Sequence, residues 1–313
     1  MRLMALLPPR ASPTVEAILA AYEADGGDGF REHLGASVIG RECDRALWYE
    51  FRWIARAARG GRMLRLFETG RLEEERLVRN LRRIGVTVLD VDPETGRQWH
   101  VQAHGGHFGG SLDGVGLGLP EAPRTWHALE FKTHNARSFM ELRTHGVQKA
   151  KPEHWAQMQV YMHLTCLTRA LYLAACKDTD ALYAERVRVD HDEAERLLAR
   201  ARRIIFAARP PARISDDPDW FQCRLCPHHA GCHGDRLPER TCRSCLHATP
   251  TEDGTWHCAR FDRRLSADEQ RAGCAAHLFI PDLIQGEQID ADPDGAWVAY
   301  RKPDSSIWRD GAA

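Results

Sequence analysis

The sequence predicts an α/β fold in which a mixed central sheet is flanked by helices, followed by a small cysteine-rich part at the C-terminal end. Three observations lead to this prediction. Apolar residues recur at helical spacing over Leu66 to Ile84. Short apolar or alternating segments, typical of strands, follow between Val86 and Thr133. Seven of the ten cysteines lie between Cys223 and Cys274.

Composition sets the broad class of the protein. The 313 residues are 43% hydrophobic and 28% charged, as expected of a globular protein with one large or two modest domains. The net charge of −1 gives no global signal for nucleic-acid binding, so a surface of that kind must be local. No apolar run approaches a membrane span, and Met1 to Pro9 does not resemble a signal peptide. We therefore expect a cytoplasmic protein without membrane contact, whose cysteines bind metal rather than form disulfides.

The N-terminal part combines a short helix with a run of arginines. Thr14 to Glu23 has the pattern of a helix, which Gly26 and Gly27 end. The segment from Phe51 to Phe67 contains five arginines and no acid, so it is the best local candidate for phosphate contacts, with a solvated helix face as the alternative. The arginines expected to bind DNA are Arg45, Arg52, Arg59 and Arg62.

One carboxylate interrupts the apolar stripe of the next helix, Leu66 to Ile84. Glu74 falls on the stripe formed by Phe67, Leu77, Val78 and Leu81. A carboxylate there is costly unless it is paired or binds a metal ion. Glu73 and Glu75 flank it and are the alternatives if the stripe is drawn one residue wrong.

The following segments alternate between strand and helix patterns. Strands are expected at Val86 to Val91, Trp99 to Ala103, His107 to Asp113, Ala128 to Thr133, Ala170 to Cys176 and around Val187. Helices are expected at Glu153 to Leu167 and at Asp192 to Ala208, which Pro210 ends.

Two acids and a lysine occupy the strand region in a pattern that suits a divalent cation. Glu130 and Lys132 point to the opposite side of their strand from Leu129 and Phe131, because strand side chains alternate. Asp113 and Glu130 would supply oxygen ligands, and Lys132 would supply a fixed positive charge. The alternative is a surface strand whose acid and lysine are together by chance.

The first cysteine group consists of Cys223, Cys226 and Cys232, which are one ligand short of a four-ligand site. Cys43 is the expected fourth ligand, although a buried apolar role is its alternative. Close spacing of this kind suits a 4Fe-4S cluster, and Zn²⁺ is the alternative.

The second cysteine group consists of Cys242, Cys245, Cys258 and Cys274, for which we expect tetrahedral Zn²⁺, with His277 as a substitute ligand. The sequence thus divides into a domain at residues 1–238, a zinc lobe at 239–285 and a terminal hairpin at 286–313. Few apolar residues lie in the lobe, so its folding should depend on metal.

Taken together, these motifs resemble the PD-(D/E)XK nuclease superfamily, in particular its RecB-like branch with an iron–sulfur cluster. AddB-type and CRISPR-associated RecB-like nucleases belong to that branch, and lambda-type exonucleases share the catalytic part. The resemblance covers roughly residues 37 to 235. It rests on Gly70-x3-Glu74, Asp113-Gly114, Glu130-x-Lys132, Gln157-x3-Tyr161, and Cys43 with the late cysteines. Many RecB-like members carry histidine where this chain has Glu74.

The resemblance implies a restriction-endonuclease-like fold and a metal-dependent DNA nuclease, in particular an exonuclease in recombination, repair or phage and CRISPR DNA processing. Mg²⁺ or Mn²⁺ would be held by Glu74, Asp113 and Glu130, with Lys132, Gln157 and Tyr161 as catalytic residues. The implied partners are single-stranded DNA or the end of a duplex, and a recombination or replication protein. The alternative is a non-catalytic DNA-binding or assembly factor with a vestigial nuclease site.

Overall fold

The computed structural model describes residues 12–27, 29–56 and 59–311. Its helices are α1 Pro13–Ala24, α2 Asp44–Phe51, α3 Gly61–Arg83, α4 Ala136–Ala150, α5 Pro152–Leu164, α6 His191–Ile205, α7 Phe221–Arg224, α8 His229–Cys232 and α9 Ala267–Ala272. Its strands are β1 Leu34–Gly35, β2 Thr87–Leu89, β3 His100–Ala103, β4 Phe108–Ser111, β5 Gly114–Leu117, β6 His127–His134, β7 Arg169–Cys176, β8 Leu182–Arg188, β9 Ala248–Pro250, β10 Trp256–Cys258, β11 Arg263–Leu265, β12 Glu287–Ala291, β13 Trp297–Arg301 and β14 Ile307–Gly311. Within these residues no helix is both long and apolar enough to cross a membrane.

The central sheet has five strands in the order β2-β5-β6-β7-β8. Strands β6 and β7 are parallel, and the other neighbouring pairs are antiparallel. A parallel pair needs a crossover connection, which α4 and α5 provide. The predicted mixed α/β architecture is therefore confirmed.

The two faces of the sheet carry different residues, as the alternation in the sequence predicts. Leu129 and Phe131 of β6 pack with Leu77 and Leu81 of α3 on one face. On the other face, Ala128 packs in the cluster that includes α5 and α6 residues. Glu130 is on this second face, where it lies beside Tyr172 in the parallel register. The polar wall of β6 therefore faces α5.

Helix α4 was not predicted from the sequence, for two physical reasons. It is rich in polar residues, and Gly146 interrupts it with a φ of 70°. Its start is nevertheless specified locally, because the side chain of Asn135 accepts a hydrogen bond from the N–H of Ser138 at 2.8 Å. Only three of its residues are buried, namely Phe139, Leu142 and Val147.

The cysteine-rich part shares its core with the residues that precede it. Cys242, Cys245 and Trp256 belong to the same buried cluster as Trp48 and Phe51 of α2. The strands β9, β10 and β11 form one antiparallel sheet beside this cluster. At the C-terminal end, β13 and β14 form the expected hairpin, to which β12 adds a third strand. The boundaries after residues 238 and 285 stay predictions.

Candidate active site

Asp113 is brought to strand β6 by a tight turn between β4 and β5. Its Oδ2 accepts a hydrogen bond from the N–H of Phe131 at 2.6 Å. The next residue, Gly114, has a φ of 149° and pairs with Leu129 of β6. A Cβ on Gly114 would lie 2.9 Å from the carbonyl oxygen of Leu89, so the turn needs glycine. Asp113 is thereby fixed beside Glu130.

The buried Glu130 and the partly exposed Lys132 form an ion pair on the α5-facing side of β6. The Nζ of Lys132 donates to Oε1 of Glu130 and, at 3.2 Å, to the carbonyl oxygen of Phe131. Glu130 is 1% exposed. Burial, together with the negative charge of Asp113, raises the pKa of Glu130 to about 7, although Lys132 opposes the shift. The same carboxylates raise the pKa of Lys132 against the effect of its burial.

Helix α3 adds a third carboxylate from outside the sheet. Burial and the charge of Asp113 raise the pKa of Glu74 to about 7. Its neighbours are turned toward arginines of the same helix: Glu73 pairs with Arg76 at 3.4 Å and Glu75 with Arg71 at 3.0 Å. Of the three adjacent acids, Glu74 is therefore the one on which the charges of Asp113 and Lys132 act.

Helix α5 closes the site with Gln157 and Tyr161, both of which are buried. The Nε2 of Gln157 lies 3.0 Å from Oε2 of Glu130 and 3.1 Å from the hydroxyl of Tyr161. A Cβ on Gly110 would lie 2.5 Å from that hydroxyl, so Tyr161 covers the glycine of β4. Gln157 and Tyr161 thus join Glu130 and Lys132 in one hydrogen-bonded group, with Asp113 bonded to the adjacent Phe131.

A hydrogen-bond chain beside this site was not predicted from the sequence. The hydroxyl of Tyr172 lies 2.8 Å from Nε2 of His134 and 2.8 Å from Nδ1 of His154. Burial, and then the positive charge of Lys132, lower the pKa of His154 to about 3. One signal could have found His154, because it precedes Gln157 by three residues and so shares its side of α5.

The first cysteine group surrounds a cavity of about 590 Å³ whose lining includes Cys43, Cys223, Cys226 and Cys232. Cys43 immediately precedes α2, and the N–H of Cys226 donates to the carbonyl oxygen of Cys223 at 3.0 Å. Burial raises the pKa of Cys226, and the charges of the other three cysteines add to the shift. The structure therefore places Cys43, from the N-terminal part of the chain, at the same cavity as the three later cysteines.

The second cysteine group is more deeply enclosed at three of its four positions. Cys242, Cys245 and Cys258 are buried, whereas Cys274 is exposed. Burial raises the pKa of Cys242 to about 12, and the charges of the other three cysteines contribute to the shift. His277, the substitute ligand, instead places its Nε2 3.2 Å from Oγ of Ser244. The four thiols, rather than His277, share one electrostatic environment.

The side chains, as they stand, do not form a closed metal site anywhere in the described part of the chain. No group of three or more His, Cys, Asp or Glu side chains there is arranged to hold a metal ion. The chemistry of the donor sets nevertheless fits metal binding. Three carboxylates suit a hard divalent cation, and each set of four thiols suits zinc or an iron–sulfur cluster.

The four arginines expected to bind DNA have different environments. Arg52 is a correction to that expectation, because it is 2% exposed and its guanidinium donates to backbone carbonyl oxygens. Arg45 lines the cavity of the first cysteine group and donates to the hydroxyl of Tyr49 at 3.1 Å. Arg59 and Arg62 are exposed. The guanidinium of Arg59 lies 5.6 Å from the centre of the Phe67 ring.

Comparison with known proteins identifies only distant structural likenesses. No family profile matches the chain, and no curated protein matches it significantly. The crystal structure of SSO0001 is 15% identical with a TM-score of 0.41, covering 71% of this chain and 96% of its own. The alkaline exonuclease LHK-Exo from Laribacter hongkongensis is 18% identical with a TM-score of 0.38, and the match covers 60% of this chain and 90% of the exonuclease. The complex of LHK-Exo with dAMP has the same identity and coverage and a TM-score of 0.37. Likenesses at these TM-scores do not indicate a function. The fold and the site by themselves define a mixed α/β protein with neighbouring carboxylates and a lysine.

Proposed function

We propose that the protein is a divalent-metal-dependent nuclease that hydrolyses phosphodiester bonds in DNA. The observation that carries the proposal is the contact of Glu130 with Lys132 and Gln157, with Asp113 bonded to the N–H of the intervening Phe131. The charge of Glu74 also acts on Glu130. The charge of Asp113 raises the pKa of Glu74 and of Glu130, and Glu74 adds to the shift of Glu130. Carboxylates in such an arrangement are unfavourable together unless a cation offsets their charge. Lys132 offsets one charge, which leaves two for a hard divalent ion such as Mg²⁺ or Mn²⁺.

Each residue has a role that follows from its contacts. Glu74, Asp113 and Glu130 would hold the metal ion, which when bound supplies an activated water and neutralises phosphate oxygens. The ammonium of Lys132 stabilises the negative charge that develops on the phosphoryl oxygens. Gln157 fixes the second oxygen of Glu130 and thereby orients this carboxylate. Tyr161, held by Gln157, covers the glycine strand next to the site.

The finer assignment follows from the sequence motifs. Their resemblance to RecB-like nucleases favours exonuclease action on single-stranded DNA or on a duplex end. The restriction-endonuclease-like topology, a role in recombination, repair or phage and CRISPR DNA processing, and a recombination or replication partner belong to the same proposal. Arg59 and Arg62 are the exposed arginines that would contact the DNA backbone.

We also propose that the first cysteine group holds a structural 4Fe-4S cluster. Its four thiols are among the groups that line a cavity of about 590 Å³, which is far larger than the roughly 15 Å³ that one water needs. Anaerobically purified protein should be brown, and Cys226→Ser should lose both colour and iron. Zinc without iron in protein never exposed to oxygen would contradict the cluster and leave the zinc alternative.

The nuclease proposal is tested by cleavage of single- and double-stranded DNA with Mg²⁺ or Mn²⁺. RNA of the same sequence serves as the comparison substrate. Glu74→Gln should abolish cleavage, whereas Glu75→Gln, at the adjacent exposed acid that pairs with Arg71, should leave it unchanged. The two variants carry the same Glu→Gln change at adjacent positions, so a difference in activity reports the position alone.

Two results would overturn the proposal. Wild-type protein that binds DNA but never cleaves it, with either metal, would favour the non-catalytic DNA-binding factor. Equal turnover by Glu74→Gln and the wild type would show that the carboxylate cluster is not the site of hydrolysis.

A further inference from the structure

Two arginines lie in the core between α2 and the cysteine-rich part. Arg52 and Arg243 are each 2% exposed. Both contact the ring of Trp256, at 5.0 Å and 4.7 Å from its centre, and Arg243 also lies 3.8 Å from the centre of the Trp53 ring. Guanidinium groups stay protonated in proteins, so these are two buried positive charges.

Their hydrogen-bond partners are all neutral. Arg52 donates to the carbonyl oxygens of Arg243 at 3.3 Å, Ala248 at 3.0 Å and Ala207 at 3.4 Å. Its Nε is buried without a partner among the described residues. Arg243 donates to Oε1 of Gln270 at 2.8 Å and to the carbonyl oxygen of Phe51 at 3.0 Å.

A surface carboxylate acts on one of the two guanidiniums, but it is not buried with them. The acid that acts on Arg243, Glu32, is exposed and forms an ion pair with Arg271 at 2.9 Å. Burying a charge without a counter-charge is strongly unfavourable, so an anionic group is expected in the same core.

Arg243 lies in the same turn as the first two cysteines of the second group, and Arg52 contacts that region through its hydrogen bonds. Arg243 lies within the tight turn from Cys242 to Cys245, in which the N–H of Cys245 donates to the carbonyl oxygen of Cys242 at 3.0 Å. Arg52 donates to carbonyl oxygens just inside and just beyond this turn. Trp256 and Cys258 are both buried and are two residues apart on β10, so they lie on one face of that strand.

We propose that Cys242, Cys245, Cys258 and Cys274 bind one Zn²⁺ ion as thiolates, and that Arg52 and Arg243 are the counter-charges of this centre. Four S–H groups release their protons to solvent and four S–Zn bonds form, without any change of oxidation state. Four thiolates around a divalent ion carry two net negative charges, which equal the charge of the two guanidiniums. The assembly of thiolates, metal ion and guanidiniums is then neutral.

The contacts of Arg52 connect the N-terminal part of the chain to the cysteine-rich part. Arg52 belongs to the segment directly after α2, whereas its acceptors Arg243 and Ala248 lie 191 and 196 residues later. Metal binding and the packing of α2 against the cysteine-rich part should therefore be energetically linked. The cysteine-rich part acts as a component of the core and not as an autonomous lobe.

The experiment measures zinc content and zinc affinity of the full chain, by elemental analysis and by competition with a chromogenic chelator. Cys258→Ser should lose one equivalent of zinc relative to the wild type. Arg52→Met and Arg243→Met should each weaken zinc affinity about tenfold or more, because a positive charge is removed from the surroundings of a dianionic centre. Arg52→Lys, which keeps the charge, should restore part of the loss.

Arg200→Met is the matched control. Arg200 is also buried and also donates to backbone carbonyl oxygens, but it pairs with Asp44 at 2.7 Å. It should lower stability while leaving zinc affinity unchanged. His277→Ala should likewise retain the zinc that Cys274→Ser loses.

Three outcomes would overturn the inference. Wild-type protein whose zinc content is unaffected by Cys258→Ser would remove the metal centre. Zinc affinities that are equal in the wild type, Arg52→Met and Arg243→Met would remove the counter-charge role. If these variants fail to fold, zinc is titrated into metal-depleted wild-type protein, and a thermal midpoint that does not rise with zinc concentration counts against the centre.

Discussion

The carboxylate site and the second cysteine group both concentrate groups of one sign of charge, but they balance that charge differently. Lys132 offsets the acids, and its side chain is 27% exposed, so a substrate phosphate can approach it. Arg52 and Arg243 are 2% exposed and enclosed by aromatic rings. An accessible cation can stabilise a visiting anion, whereas a buried one acts only within the fold. The first region is therefore suited to catalysis and the second to stability.

Removal of residues 239–313 should have the largest effect and tests the second half of this comparison. We expect no cooperatively folded protein, because the buried cluster around Trp48 and Phe51 would lose Cys242, Cys245 and Trp256. The measurement is thermal unfolding followed by circular dichroism. A truncated chain that unfolds cooperatively would instead support an autonomous zinc lobe and the boundary after residue 238.

Asp113→Asn should separate activity from stability. The amide oxygen can still accept the hydrogen bond from Phe131, whereas the charge that raises the pKa of Glu74 and of Glu130 is removed. We expect cleavage to fall at least about 10³-fold, since transition-state stabilisation of several kcal/mol is lost. The thermal midpoint in the absence of metal should be equal to that of the wild type or higher. An Asp113→Asn variant that cleaves DNA like the wild type and unfolds at a lower temperature would contradict both the catalytic role and the expected effect on stability.

Gln157→Ala should have an intermediate effect on catalysis. The second oxygen of Glu130 would lose its donor, and removal of such an orienting hydrogen bond typically costs about 10- to 100-fold in activity or metal affinity. Gln159→Ala is the matched control on the same helix. Gln159 is equally buried but contacts Arg188 and Asp190, so its loss should affect stability alone. Equal activity loss in both variants would point to general damage of α5.

Reversing the charge of Arg59 and Arg62 should have the smallest effect and sharpens the difference between exposed and buried arginines. A plot of the logarithm of the DNA-binding constant against the logarithm of salt concentration should become less steep. Its slope should fall in magnitude by about 0.9 for each DNA phosphate that the variant no longer neutralises. Arg79→Glu with Arg83→Glu, at exposed positions toward the other end of α3, is the control pair. An unchanged slope in the first pair would place the DNA elsewhere.

Local features of the protein follow from the amino-acid sequence alone. The alternation in β6 placed Glu130 and Lys132 on one face, because strand side chains have a period of two. The helical stripe of α3 singled out Glu74, because an acid among core positions needs an offsetting charge. The short spacing from Cys223 to Cys232 brought three thiols together without long-range information.

Features that depend on partners distant in the chain emerge only from the folded structure. Arg52 belongs to a basic run in the sequence, and yet it lies in the core. One of its acceptors is the carbonyl oxygen of Arg243, which is 191 residues later in the chain, so the local sequence did not show that Arg52 is buried. Tyr172 joins His134 and His154 across 38 and 18 residues, so no local pattern revealed this chain. The periodicity of apolar residues indicates which side of a helix or strand is buried. The residues that it packs against are determined by the contacts between elements, which are not evident from local sequence patterns.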